Sequence, residues 1–251
     1  MKFNKGILQT ILIQLLLVYN PLPLVAQELD EVIKRYTKSK YGNTELDSVR
    51  SLRMFGFIKN NYGQPDYYFV KEIMIPNLIK IEYFTDRKNK GYTIAYDGDI
   101  GWELNANHKY TSATKLSQEE LTVLLEKSII ILPFIQPEKS GTTVELFGNK
   151  KLFDDDNFQI GVKFKNGKTK RFFIDSNDYK LNHGGDTALQ NSEIRYSSFT
   201  SYKDYRKVNG IFFSFLEEQI IKTKGKKTNI RTLRIEVNPE FKDSHFKMPQ
   251  N

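Results

Sequence analysis

A few groups of side chains in this sequence have types and spacing that could support chemistry. Asp154-Asp155-Asp156 followed by Asn157 supplies hard oxygen ligands of the kind that hold calcium or magnesium. The run lacks the spaced ligands and closing glutamate of a calcium loop, so it reads as a solvated turn. His108, His183 and His245 lie far apart, and none forms a zinc-type pair. His183-Gly184-Gly185-Asp186 reads as a loop rather than a catalytic turn. Glu119-Glu120 and Glu217-Glu218 are adjacent pairs whose side chains diverge on a helix or a strand, so neither can flank a substrate. No nucleophile elbow, phosphate loop or dinucleotide fingerprint occurs. These residues argue against an enzyme, and neither a metal nor a cofactor is expected.

What remains is the ability to bind, and the start of the chain says where. Lys2 and Lys5 precede the apolar run Ile7 to Val18, and Pro21 and Pro23 stop it before Leu24-Val25-Ala26. This is the pattern of a signal peptide over residues 1–26, too short for the roughly 20 apolar residues of a membrane span. It implies a periplasmic protein with a single domain over residues 27–251. The chain has no cysteine, so it has neither disulfides nor the lipidation site of a bacterial lipoprotein. Its net charge is +8, spread along most polar faces, with one cluster at Lys222, Lys224, Lys226 and Lys227. The cluster reads as a solvated hairpin end, with docking to anionic headgroups or an acidic membrane partner as the functional alternative. Nucleic acid is not an expected partner of an exported chain.

The elements that would build a binding site follow from periodicity. Glu28 to Lys40 places Leu29, Val32, Ile33 and Tyr36 on one helical face, and Thr44 to Arg50 reads as a second short helix. Ser51 to Ile58 and Tyr67 to Ile75 are strands with apolar residues on both faces, the second having only Lys71 and Glu72 as charges. Such strands must be covered on both sides. Pro76 opens a strand in which Ile79, Ile81 and Tyr83 alternate with Lys80 and Glu82, and Asp97-Gly98 turns the next hairpin towards Trp102. A capping box at Ser117 and Glu120 starts a helix carrying Leu121, Leu124, Leu125 and Ile129, expected to run towards Pro133 and Ile135. Further strands follow around Asn166-Gly167 and Asn209-Gly210. The total of about ten or eleven antiparallel strands exceeds what a flat sheet holds. A mainly β, α+β fold is expected, with a strongly curved half-barrel sheet covered by a few helices.

The order Pro76, alternating strand, Tyr96-Asp97-Gly98-Asp99-Ile100-Gly101-Trp102 and Asn105 resembles the hairpin of the LolA/LolB-like lipoprotein-carrier superfamily. Val162-Lys163-Phe164 with Asn166-Gly167, Phe173-Ile174-Asp175 leading to Tyr179-Lys180-Leu181, and Tyr205 to Ile211 are similar to its Bacteroidetes-type members. Ile235-Glu236-Val237-Asn238 before Phe246-Lys247-Met248-Pro249 completes the likeness. It covers essentially all of residues 27–251. The resemblance implies a convex sheet wrapped around a hydrophobic cavity that shields acyl chains on their way to the outer membrane. Shielding is worth about 0.8 kcal/mol per methylene, so a chain of about sixteen carbons needs roughly 13 kcal/mol. Where the family's best understood carriers place an arginine that helps control release, this chain has Ile75. The cargo therefore stays open between acylated lipoprotein and another lipid.

The expected function is a soluble, monomeric periplasmic carrier of lipid or lipoprotein acyl chains, served by membrane-associated donor and acceptor proteins. The alternative is an envelope sensor or protein-interaction module with the same fold. Expected cavity residues are Ile79, Ile81, Tyr83, Trp102, Leu121, Leu125 and Ile129.

Overall fold

The computed structural model describes residues 22–60, 67–85, 89–106, 112–190, 193–196, 198–221 and 226–250. The leader expected over residues 1–26 lies outside them up to residue 21, and so do His108, Lys222 and Lys224. Helix α1 (Leu22–Tyr41) carries Lys38 and Lys40 in its last turn, where cations complement the helix dipole. Gly42, at φ 60°, closes α1 by donating to the Lys38 carbonyl at 2.9 Å. Among the described residues no helix is long and apolar enough to cross a membrane.

The strands are β1 (Ser51–Asn60), β2 (Tyr67–Met74), β3 (Leu78–Phe84), β4 (Lys90–Tyr96), β5 (Gly101–Asn105) and β6 (Thr114–Lys115). After helices α2 (Gln118–Glu126) and α3 (Pro137–Ser140) come β7 (Thr143–Leu152), β8 (Asp155–Lys163), β9 (Thr169–Asp175) and β10 (Leu181–Gln190). The chain ends with β11 (Glu193–Tyr196), β12 (Ser198–Val208), β13 (Ile211–Ile221) and β14 (Lys226–Val237). They form one 14-stranded antiparallel sheet in the order β6-β5-β4-β3-β2-β1-β14-β13-β12-β10-β9-β8-β7, with β11 paired to β10. The sheet is curved and unclosed, the half-barrel expected from the sequence. It has more strands than expected because β6 is very short and Glu193 to Lys203 divides between β11 and β12. Bulges bend it, the central one where Phe55 and Gly56 of β1 meet Arg234 and Thr232 of β14. Gly56 also leaves room for the Phe69 ring, which lies 2.5 Å from where a Cβ would stand.

The sheet has a helix-covered inner face and an outer face. On the inner face α1 and Phe134 cover β7 to β10 in a core of Val32, Tyr36, Leu146, Ile160, Val162, Phe172, Ile174 and Leu181. The outer face of β1 to β5 is covered by the C-terminal segment. Phe246 is fully buried there, and Glu72 is held by Arg53 at 2.7 Å and by His245 at 2.5 Å.

Two local expectations are corrected. Helix α2 stops at Glu126, not near Pro133. Ile129, Ile130 and Ile131 are β-branched and Pro133 cannot donate, so the helix has no favourable continuation. Ser128 closes its end by donating through Oγ to the Leu125 carbonyl at 2.7 Å. His183 to Asp186 belongs to β10 and not to a loop, because His183, Gly184, Gly185 and Asp186 pair with Phe173, Phe172, Arg171 and Lys170 of β9.

Candidate functional site

Strand register assigns the inner face residue by residue. Ile79 opposes Tyr96, Ile81 opposes Ile94 and Tyr83 opposes Tyr92 across β3 and β4, while Phe69 and Ile73 of β2 oppose Tyr83 and Ile79. These side chains share one face because alternation sends every second residue the same way. Leu124 of α2 packs onto them, joining Phe69, Ile73, Ile79 and Ile81 in a buried cluster. The lid can sit this close because β5 presents Gly101 below it, where a Cβ would come within 3.0 Å of Leu121 Cδ1.

This end of the inner face is only half covered. Met54, Ile58, Tyr83, Ile94, Tyr96, Ile130 and Ile230 pack against the cluster but remain partly accessible. These side chains lie on strands β1 to β4 and β14 and on the segment after α2, and they are the partly accessible apolar surface of this end.

Of the expected cavity residues, Ile79, Ile81 and Tyr83 lie together on this wall, and Leu121 and Leu125 lie half-buried on α2. Ile129 is 38% exposed beyond the helix end. Trp102 is corrected to the outer face. It opposes Ala95, out of phase with Ile94 and Tyr96, and its Nε1 donates to the Phe246 carbonyl at 2.9 Å. Gly101 and Glu103 are the β5 positions that face inward, and Glu103 accepts a short hydrogen bond from the Tyr92 hydroxyl.

Two polar features of the inner face were not foreseen. The first is a set of ion pairs that latches α2 to the far strands. Glu126, the last residue of α2, is bonded by Lys168 and by Lys170 Nζ, the latter at 2.8 Å. Asp186 of β10 lies 3.5 and 3.3 Å from the same two lysines. Burial alone would raise the Asp186 pKa, but Lys170, the Ser198 hydroxyl and Lys168 hold it below the usual carboxylate range. The covering helix is thus tied to strands from the opposite half of the sheet. The second feature is a set of charges inside. Lys71 shares the inner face with Phe69 and Ile73, Glu217 opposes Ile230 and Tyr202, and Lys40 lies between α1 and β13 with its Nζ donating to the Phe212 carbonyl at 3.4 Å. Burial pushes Lys71 below the ordinary lysine pKa, Lys127 adds to that and Glu217 opposes it. Alternation within Phe69-Val70-Lys71-Glu72-Ile73 carried the signal for Lys71, since it places the lysine in phase with two buried residues.

Among the described residues no group of metal-ligating side chains comes together, and Asp154 to Asp156 form an exposed turn and strand start.

The architecture is a curved half-barrel sheet with a helix tied across one end of its inner face. No protein-family model matches the chain, and no curated protein matches it significantly. Solved structures do. The fold is similar to that of a LolA superfamily protein from Nitrosomonas europaea, with TM-score 0.58, 7% identity, and coverage of 87% of this chain and 96% of that one. It is also similar to a putative outer membrane lipoprotein-sorting protein domain from Vibrio parahaemolyticus, with TM-score 0.59, 11% identity, and coverage of 86% and 94%. A DUF1329 family protein from Desulfovibrio piger gives TM-score 0.61 and 14% identity over 89% and 97%. At these identities the likeness is one of fold: the chain has the LolA-like half-barrel.

Proposed function

We infer that the protein is a periplasmic carrier, exported by a leader over residues 1–26 and acting as a single, monomeric domain over 27–251. It holds an acyl chain of a lipid or lipoprotein between α2 and the inner face, and hands it on towards the outer membrane. It works by reversible burial, without covalent chemistry. The observation that carries this reading is the band of partly accessible apolar side chains on the inner face, from Tyr83 and Ile94 to Ile58 and Ile230. Apolar surface is worth about 25 cal/mol per Å² when removed from water. A fold that leaves such surface open inside itself gains that energy when an acyl chain fills the space. In this reading Tyr83, Leu121 and Leu125 line the site, and Ile79 and Ile81 form the packed layer beneath it.

Mass spectrometry of lipids retained by protein purified from its native envelope, with binding of a fluorescent fatty-acid probe, tests the reading. Ile230→Trp fills that space, and the probe should then bind about tenfold more weakly. The overall melting temperature should stay nearly unchanged, because the added ring occupies space that is not close-packed. Protein recovered without lipid that also fails to bind the probe would overturn the carrier reading.

A further inference from the structure

Lys71 is out of place in the wall it belongs to. Its neighbours along β2 on the same face, Phe69 and Ile73, are 7% and 2% exposed. Its cross-strand neighbours are Ile81, which is 2% exposed, and Met54. Lys71 itself is half-buried on this face. Among the described residues it has no hydrogen bond and no ion pair.

The surrounding charges do not balance. Glu217 is the acid that acts on Lys71, and it also acts on Lys40. Glu217 accepts a long hydrogen bond from Gln219 Nε2 at 3.5 Å and makes no direct ion pair among the described residues. Lys127 adds a further positive charge on the α2 side. Lys71 is thus an inward ammonium with no carboxylate paired to it among the described residues, the inward Glu103 being bonded to Tyr92 across the sheet. A partly desolvated cation without a counter-charge carries a cost that an anion brought in by a ligand reduces.

We propose that the ligand of this site is an amphiphile whose headgroup carries an anionic oxygen, as a carboxylate or a phosphate, and that Lys71 seats that headgroup. The chain of the ligand lies on Met54, Ile58 and Ile230 beside it. This rests on the carrier reading and adds a ligand class to it. Charge-assisted hydrogen bonds in a site of low dielectric are among the stronger polar contacts, so Lys71 discriminates between charged and uncharged ligands of equal length.

The test uses an uncharged reporter, the methyl ester of a dansyl-labelled undecanoic acid, displaced by three competitors. These are palmitate with a carboxylate head, lysophosphatidic acid with a phosphate head, and monopalmitoylglycerol with no charge. At least one anionic competitor should displace the reporter about tenfold better than monopalmitoylglycerol, and the better of the two identifies the headgroup. Lys71→Met should erase that advantage while leaving monopalmitoylglycerol within about twofold of its wild-type behaviour, and Lys71→Arg should retain it. Methionine suits this apolar wall, so Lys71→Met should melt no lower than wild type. If monopalmitoylglycerol competes as well as both anions, or the advantage survives in Lys71→Met, the inference is overturned and the carrier reading stands. If the methyl ester itself does not bind wild-type protein, the carrier reading is overturned and the inference goes with it.

Discussion

The two ends of the inner face are built from the same kinds of residue under covers of different length. Under α1, Phe134 stands edge-on between Tyr36 and Phe172, with ring centroids 5.1 Å apart on each side, and is fully buried. Under α2, Leu124 seals Ile79 and Ile81, but the next shell of Ile58, Tyr83, Ile94 and Ile230 remains accessible. Both clusters carry partly buried hydrophobics at their margins, but the first has the larger buried centre. The difference lies in the cover: α1 has 20 residues and inserts Val32 and Tyr36, whereas α2 has 9 and offers Leu124 as its one buried residue.

The largest effect should come from breaking the end under α1. Phe134→Ala removes a fully buried ring and should cost about 3–5 kcal/mol in urea unfolding. Ile94→Ala, at a half-buried position of the α2 end, should cost well under half of that, because fewer contacts are lost. Equal costs at the two sites would mean that the α2 end is packed as tightly as the α1 end, and the distinction would fail.

Much of this arrangement was legible in the residues. Alternation located β3 and its inward row, Asn209 and Gly210 take the positive φ values of 47° and 86° that suit a tight hairpin, and the Ser117 capping box starts α2. Trp102 was assigned to the wrong face because period two fixes only which residues alternate, and an aromatic side chain suits either side. Its cover, Phe246, is 144 residues away. The latch was illegible for the same reason: Glu126, Lys170 and Asp186 meet only through strand order and helix placement. The early stop of α2 was present in the isoleucine run and Pro133, but a strong apolar pattern concealed it.

The latch gives a smaller and more local test. Glu126→Gln leaves the helix its shape but removes the charge that Lys168 and Lys170 hold. Partly exposed ion pairs contribute up to about 1 kcal/mol, so amide exchange over α2 should accelerate about fivefold while global unfolding hardly changes. Added salt should reproduce part of the effect in wild-type protein. Unchanged protection of α2 would show that Leu121 and Leu124 alone hold the lid, and would make the α2 end less mobile than its tether suggests.

The smallest effect lies where the two ends meet. Lys40 belongs to α1, its Nζ rests over the Tyr41 and Phe213 rings at 5.6 and 5.2 Å, and it also feels Glu217. Burial lowers its pKa from 10.5 to about 8, with Glu217 partly opposing the shift. A base whose folded value is depressed is disfavoured in its charged form by the fold. Below about pH 8 Lys40 is protonated in both states and the full penalty stands. Between about 8 and 10.5 the folded protein releases the proton before the unfolded chain does, so this contribution to stability rises with pH. Lys40→Met should therefore melt about 2–4 °C above wild type at neutral pH, and the gap should shrink as pH climbs through that window. A gap independent of pH would mean that Lys40 is solvated, which would extend the accessible part of the inner face beneath α1.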